Sequence, residues 1–353
     1  MVQGASKAPE RTQVMKRVII SRRGGPEVLQ VIEEPLPQPK NGEALVRVKA
    51  AGVAFAEVLM REGLYTGAPK TPFTPGYDIA GVVEQVGEGV NSAYVGQRVI
   101  ALTYLGGYSE YVCLPERDLV PIPKNVGDAE AVSLVLNYLT AYQMLHRIAY
   151  IESGERILVH GAAGGVGTAL LQLGKLANLE MYGTASKRKH PMVSDLGATP
   201  IDYRDVDFVA EIRRLTGDGV DAVFDAVGGA HWRRSLQTLR SGGRMVAYGF
   251  STATNGGRRD LLRALSNLLR MPRVDPLFLL NNSKAVMGYN VNIIKKRHPN
   301  WYRQDLSALL SLLAEEKINP IVAAQVPLVE VARAHEMLNN AAVSGKIVLM
   351  TDC

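Results

Sequence analysis

The residues with the clearest chemical use are Gly164, Gly165 and Gly167, in the stretch RILVHGAAGGVGTALLQLGK (Arg156–Lys175). An apolar run precedes them and an amphipathic run follows, so they lie between a strand and a helix. Free N–H groups and a partial positive charge at a helix N-terminus bind phosphate. Glycine lets the backbone come close to a pyrophosphate there. The spacing over Ala162–Gly167 reads A-x-G-x-x-G, with Gly164 permitting the approach and Gly167 permitting tight helix–strand packing. About 20 residues further on, a carboxylate would hold a ribose 2′-hydroxyl. This chain instead reads YGTASKRKH, with Ser186, Lys187, Arg188 and Lys189 and no acid. One charge-assisted hydrogen bond to a 2′-phosphate is worth about 1.5–3 kcal/mol, or roughly 10- to 150-fold in affinity. The expected cofactor is therefore NADPH rather than NADH.

Elements must carry these groups. From about Asn137 short apolar runs alternate with helical patterns. RILVH, EMYGTA, PIDY, VDAVFDAVGG, GRMVAYGF and KAVMGYNV are interleaved with KRKHPMVSDLGA, DFVAEIRRLTG (opened by Asp207) and AHWRRSLQTLR. Such βαβ alternation implies a parallel sheet with right-handed crossovers. Residues 15–125 read instead as short Val/Ile-rich strands between Gly, Pro and Asn, a small barrel-like domain. WYRQDLSALLSLLAEEK is a further helix, and GKIVLMT is a last strand expected to return to the first domain. Residues 1–14 are expected to be a disordered tail.

The 353 residues allow two domains, and 47% hydrophobic with 21% charged suits a soluble enzyme. No apolar run reaches the ~18 residues of a spanning helix. Two cysteines, Cys113 and Cys353, build no disulfide framework and point to a reducing, cytoplasmic setting. The net charge of +6 is accompanied by no nucleic-acid motif. The segment 256–280 mixes arginines with leucines. It is read as a helix packed on the cleft or on a dimer partner, with weak membrane-surface association through a basic amphipathic face as the alternative. His160 is read as packing beside the loop. His146, His231, His298 and His335 show no carboxylate or nucleophile at a telling spacing, so no Ser-His-Asp arrangement is expected.

VHGAAGGVG, GTAS, IDYRDVD, FDAVGG and GKIVL, with GLY, PGYDIAGVVEQVGEGV and GGYSEYV, resemble the medium-chain dehydrogenase/reductase superfamily. Within it they resemble the zinc-free quinone oxidoreductases of the zeta-crystallin type. LNYLTAYQML and GTASKRKH look similar to the vesicle amine transport protein branch. The resemblance implies an α/β fold: a GroES-like β-barrel catalytic domain (15–136 and 291–353) and a doubly wound Rossmann domain (137–290). It also implies a cleft between them and a homodimer. Gly164, Gly165 and Val166 would line the pyrophosphate. Ser186, Lys189 and Tyr203 would surround the 2′-phosphate, and Thr140 would sit near the nicotinamide. Val227, Gly249 and Phe250 would flank the cofactor, Gly345 and Lys346 would close on it, and Tyr65 would face the substrate.

Two departures matter. Zinc-dependent relatives carry Gly-His-Glu where this chain has Gly76-Tyr77-Asp78, and no cysteine lies between Met1 and Tyr111. A catalytic zinc needs about three protein ligands, so no metal is expected. Quinone oxidoreductases also carry Asn at the position of Ala54, a polar contact near the nicotinamide that alanine removes. The implied reaction is hydride transfer from NADPH to a quinone or an α,β-unsaturated carbonyl, with the proton from water or Tyr65. Two alternatives stand: a non-catalytic NADPH-binding protein with a structural, vesicle or RNA-contacting role, and an enoyl reductase of a polyketide-type pathway.

Overall fold

The computed structural model describes residues 13–251, 275–340 and 343–351, with the backbone alone at 254–255 and 258–259. The N-terminal part supplies β1 (Val14–Ile20), β2 (Leu29–Pro35), β3 (Glu43–Val53), β4 (Asp78–Val86), β5 (Arg98–Leu102), β6 (Tyr111–Pro115) and β7 (Val120–Pro121). Next come β8 (Arg156–His160), β9 (Glu180–Thr184), β10 (Ala198–Ile201), β11 (Val220–Asp225) and β12 (Leu239–Ala247). A two-residue ladder, β13 (Thr254–Asn255) with β14 (Arg258–Arg259), precedes β15 (Ala285–Gly288), β16 (Val322–Pro327) and β17 (Lys346–Met350).

The second sheet has the order β10-β9-β8-β11-β12-β15, with every pairing parallel. By position this is 3-2-1-4-5-6, the doubly wound dinucleotide-binding order, with the reversal between β8 and β11. Both faces are covered. Leu158, Tyr182, Val223 and Met245 pack with Phe208, Ile212 and Leu236. Ile157, Val159, Met181, Phe224 and Val246 pack with Leu139, Leu170 and Leu173 on the other face. The odd/even split follows from the period of two along a strand. Helix α4 (Gly165–Leu176) follows β8, and α5 (His190–Asp195) precedes β10. Asp207 caps α6 (Phe208–Thr216) through the amides of Val209 and Ala210, as its sequence position predicts. Helix α7 (His231–Thr238) links β11 to β12.

The first sheet runs β16-β17-β3-β4-β5-β7, with β6 also on β3. The chain rejoins it only at Val322. The helix Pro299–Ala314, assigned to the first domain in the sequence reading, packs on the helical run Asp128–Ile148 through Tyr302, Leu306, Leu309 and Leu310. That run comprises α2 (Asp128–Ser133) and α3 (Leu139–Gln143), each followed by a wider π-type segment, at Leu134–Tyr138 and Met144–Ile148.

One helix corrects the all-strand reading of residues 15–125: α1 (Phe55–Glu62). Its inward face carries charge. Glu57, Arg61 and Glu62 are all at most 1% exposed, so no apolar stripe announced the helix. Arg61 donates to Glu62 and to the Gly24 carbonyl, and its Nη1 lies 2.9 Å from Nδ1 of the buried His335. Strand β1 starts at Val14, the last residue of the expected tail, and residues 1–12 lie outside the described residues.

Most of the basic stretch 256–280 also lies outside the described residues. Its end forms the helix Pro276–Asn282, with Leu277 and Leu280 exposed. No helix among the described residues is long and apolar enough to cross a membrane.

Candidate functional site

The glycine loop emerges at the carboxyl end of β8, beside the strand-order reversal. Gly161, rather than the residue at the first motif position, makes the tight turn: its φ is +68°, a conformation Ala162 next to it does not adopt. Gly164 is the N-cap of α4, and no side chain caps that helix end. A Cβ on Gly164 would meet only the Gly161 carbonyl, at 3.3 Å, so its outer side is open. A Cβ on Gly167 would lie 2.3 Å from the Gly161 oxygen and 2.7 Å from Ala162 backbone, so its role is packing. On Gly165 it would lie 2.2 Å from the Asn137 amide. The returning segment reaches this loop: Gly345 N–H donates to the Ala163 carbonyl at 3.1 Å.

The basic stretch lies at the end of β9. Ser186 starts a short 3₁₀ turn over Lys187–Lys189, and Tyr203 stands 51% exposed after β10. The Lys189 ammonium donates to the Val343 carbonyl at 2.7 Å, tying this stretch to the returning segment. Burial and the neighbouring cations Arg188 and Arg204 lower its pKa. Asp202, next to Tyr203, accepts backbone amides on both its oxygens, from Lys187 and Arg204.

Across the strand-order reversal, Asp225 ends β11 and organises the next loop. Its Oδ1 accepts the amides of Val227 (2.7 Å) and Gly228 (3.2 Å). Its Oδ2 accepts the Ser235 hydroxyl (2.6 Å) and faces His231 Nδ1 at 2.8 Å. Burial pushes this carboxyl up, but the His231 bond, the adjacent imidazoles and Ser235 outweigh it and hold the pKa well below the usual range. His160 Nε2 lies 3.1 Å from Ser235 Oγ, and its Nδ1 lies 3.1 Å from Thr184 Oγ1. Burial lowers the His160 pKa to about 3, so the ring is neutral.

The sequence reading gave His231 no partner; the fold supplies Asp225, and Ser235 one helical turn on. Among the described residues, His160, Asp225 and His231 are the one group whose metal-ligating atoms lie within 4.8 Å of one another. Each of those atoms already has a hydrogen-bonding neighbour, and the cluster fixes the Val227 loop. That loop packs on Gly249–Phe250: a Cβ on Gly228 would sit 2.2 Å from the Phe250 ring.

The N-terminal domain contributes aromatic hydroxyls and buried charge. Tyr65 and Tyr77 hydroxyls are 2.8 Å apart, and Asn292 Nδ2 donates to the Tyr77 hydroxyl at 3.0 Å. The Tyr104 ring stands edge-on to Tyr77. Burial, then the Tyr65 hydroxyl, raises the Tyr77 pKa far above the ordinary phenol value. The Tyr77 amide donates to Glu57, which also accepts the Ala54 amide and the Tyr108 hydroxyl. Burial raises the Glu57 pKa to about 7. Lys346, 3% exposed, places its ammonium 2.8 Å from the buried Asp78, which leaves its backbone to follow Gly345 along the loop. Thr140 is buried on α3, where the nearby Tyr289 hydroxyl donates to Gln143 Oε1 at 2.8 Å.

The fold thus gathers Gly164, Gly165, Val166 and Gly345, pairs Val227 with Gly249–Phe250, and links Lys189 to the same returning segment. Tyr65 stands apart from these, with its hydroxyl on that of Tyr77. The sequence reading missed Asp225, His231 and Asn292 as partners. An N-cap pattern in YNVN, with Asn290 accepting the amides of Asn292 and Ile293, was the only local signal at the last of these.

The profile described as "Alcohol dehydrogenase GroES-like domain" matches residues 40–124, and "Zinc-binding dehydrogenase" matches 196–349. The human protein named "Synaptic vesicle membrane protein VAT-1 homolog" is 33% identical over 341 residues, covering 96% of this chain and 86% of its own. The human "Quinone oxidoreductase" is 29% identical over 344 residues, covering 96% and 98%. Among solved structures, the Escherichia coli quinone oxidoreductase complexed with NADPH superposes with a TM-score of 0.84 at 30% identity, over 95% of this chain and 99% of its own.

Proposed function

We propose, from the premise that the chain belongs to the medium-chain dehydrogenase/reductase superfamily, that it is an NADPH-dependent, metal-independent reductase of quinones or α,β-unsaturated carbonyls. One observation carries the cofactor assignment. The uncapped N-terminus of α4, opened by Gly164, stands at the carboxyl end of β8 where the strand order reverses. A Cβ on Gly164 would project into the space a pyrophosphate needs.

Gly164, Gly165 and Val166 would bind the diphosphate through backbone N–H groups. Ser186, Lys189 and Tyr203 would take the 2′-phosphate, since Asp202 is committed to two backbone amides and does not oppose it. Thr140, Val227, Gly249 and Phe250 would hold the nicotinamide end. NADPH supplies the hydride. The chain's own work is to position the acceptor, exclude water from the cleft and deliver a proton to the reduced oxygen. Tyr65, half-buried with its hydroxyl on Tyr77, would make that delivery.

Ala54 favours a second reading, an NADPH-binding protein without turnover, because it brings no polar atom to the cleft. The test has two steps. Calorimetry is expected to show binding of NADPH and weaker binding of NADH. NADPH oxidation over a panel of quinones and enones is then expected to show turnover. Binding without turnover supports the second reading, and absence of NADPH binding refutes both.

A further inference from the structure

The three polar groups at Tyr65, Tyr77 and Asn292 come from separate parts of the chain, and their order is directional. Tyr77 is 2% exposed, so each polar atom of its hydroxyl must find a partner inside the protein. An amide nitrogen only donates. Asn292 Nδ2, 3.0 Å away, therefore occupies a lone pair of the Tyr77 oxygen. The Tyr77 proton must then go to its other neighbour, Tyr65 Oη at 2.8 Å, because an unpaired buried O–H costs about 1–3 kcal/mol. Tyr65 consequently accepts from Tyr77, and its own proton is left for whatever enters the cleft.

Tyr77 and Asn292 are both held in place. The Tyr77 amide donates to Glu57, its carbonyl accepts the amides of Thr103 and Tyr104, and its ring meets Tyr104 edge-on. Asn292 sits in the first turn of the helix Val291–Arg297, capped by Asn290. Further along that helix, Lys295 donates to the Leu102 carbonyl at 2.7 Å and pairs with Asp118 at 2.9 Å. The donor amide is thereby stapled onto the end of β5.

We propose that Asn292 and Tyr77 are positioning residues that polarise Tyr65 outward, making Tyr65 Oη the proton donor to the carbonyl oxygen of the acceptor. The inference rests on the reductase reading above. In the step assigned to it, the Tyr65 O–H bond breaks and an O–H bond forms on the acceptor oxygen. The hydride received by the acceptor, carrying both electrons, comes from NADPH, which leaves as NADP⁺. The Tyr65 phenolate, stabilised by the Tyr77 O–H, regains a proton from water.

The polarity makes Asn292→Asp the informative change. A carboxylate of the same reach only accepts, so Tyr77 would donate to it and take the Tyr65 proton in turn, reversing the chain. Asn292→Asp and Tyr77→Phe are each expected to lower kcat at least tenfold, within the ~10²–10⁴ range of a general acid. KM for NADPH is expected to stay within about threefold, since neither group is assigned to the cofactor. A readout independent of turnover is the carbonyl stretch of a carbonyl-labelled enone bound to the NADP⁺ complex. Donation by Tyr65 lowers its frequency in the wild type, and the shift is expected to vanish in Tyr65→Phe and Asn292→Asp.

If the wild type turns over while both Asn292→Asp and Tyr77→Phe keep kcat and the carbonyl shift, the chain is refuted and the reductase reading stands. If the wild type shows the shift without turnover, the reductase reading fails and the polarity stands. If neither an enone nor a quinone binds the NADP⁺ complex, both fail.

Discussion

Lys346→Met isolates a buried charge. Lys346 Nζ and Asp78 Oδ2 are 2.8 Å apart, and the two side chains are 2% and 0% exposed. At an effective dielectric near 20 their attraction is about 6 kcal/mol, most of which offsets the cost of desolvating both groups. Removing one partner leaves the other charge uncompensated, which costs about 3–5 kcal/mol. With about 2.1 cal/mol/K of unfolding entropy per residue, a cooperative chain of 353 residues has ΔS near 0.7 kcal/mol/K, so that loss is a Tm drop of about 4–7 °C. Asp78→Asn is expected to fall similarly, and the double variant Asp78→Asn/Lys346→Met to recover to within about 1–2 kcal/mol of wild type, because no bare charge remains. Burial already raises the Asp78 pKa against the opposing pull of Lys346. In Lys346→Met that carboxyl takes up a proton in the folded state, so the deficit is expected to shrink as pH is lowered. Thermal unfolding of the four proteins at neutral and mildly acid pH is the assay. Single variants within about 1 °C of wild type, or a double variant as unstable as the sum of the singles, would refute the reasoning.

Gly164→Ala, an alanine N-cap costing about 1 kcal/mol with its Cβ 3.3 Å from one oxygen, is expected to lower Tm by only about 1–2 °C, while NADPH affinity falls at least tenfold by calorimetry; Gly167→Ala, with backbone at 2.3 Å, is expected to lower Tm much further. Ser186→Asp is expected to move the NADPH:NADH affinity ratio by roughly 10- to 150-fold toward NADH, and an unchanged ratio would exclude Ser186 from the 2′-phosphate site. His160 and His335 have folded-state pKa values of about 3, against 6.5 for the free group. Their stabilisation is present above about pH 6.5 and is lost as pH falls toward 3, whereas Glu57, raised to about 7, favours the folded state as pH falls from 7 to 4.5. His335→Gln is therefore expected to flatten the acid limb of stability against pH by up to about 1.4 kcal/mol per pH unit, and an unaltered slope in denaturant titrations would rule out that ring as a titrating group.

The sequence revealed what rests on local rules. Alternating apolar runs announced the parallel sheet, and the spacing of Gly164 and Gly167 announced the loop. Asp207 announced the start of α6. What it hid depends on contacts between distant residues. Helix α1 was invisible because Glu57 and Arg61 face inward, a pattern that pays only once Ala54, Tyr77, Tyr108 and His335 are brought around them. His231 gained its carboxylate, six positions away, only because the turn after β11 folds α7 back over the strand's end, and His160 joins them because β8 lies next to β11. Tyr77 was noticed only as a replaced metal ligand; its link to Asn292 spans more than 200 positions of chain. Gly161 was passed over because the motif starts one residue later, while the turn is decided by φ.

Strand β17 lies between β16 and β3, in the interior of the first sheet. Its partner in β3 lies more than 290 positions earlier, as Ile347 pairs with Val53. Strand β6 already pairs Glu43–Arg47, but Ala50–Val53 of β3 wait without that partner until β17 has been made. Such long-range closure slows folding and leaves open strand edges in the interim. The parallel sheet, whose strands are all present by Gly288, has no such delay, so the nascent chain is expected to gain its nucleotide-binding half before its amino-terminal one.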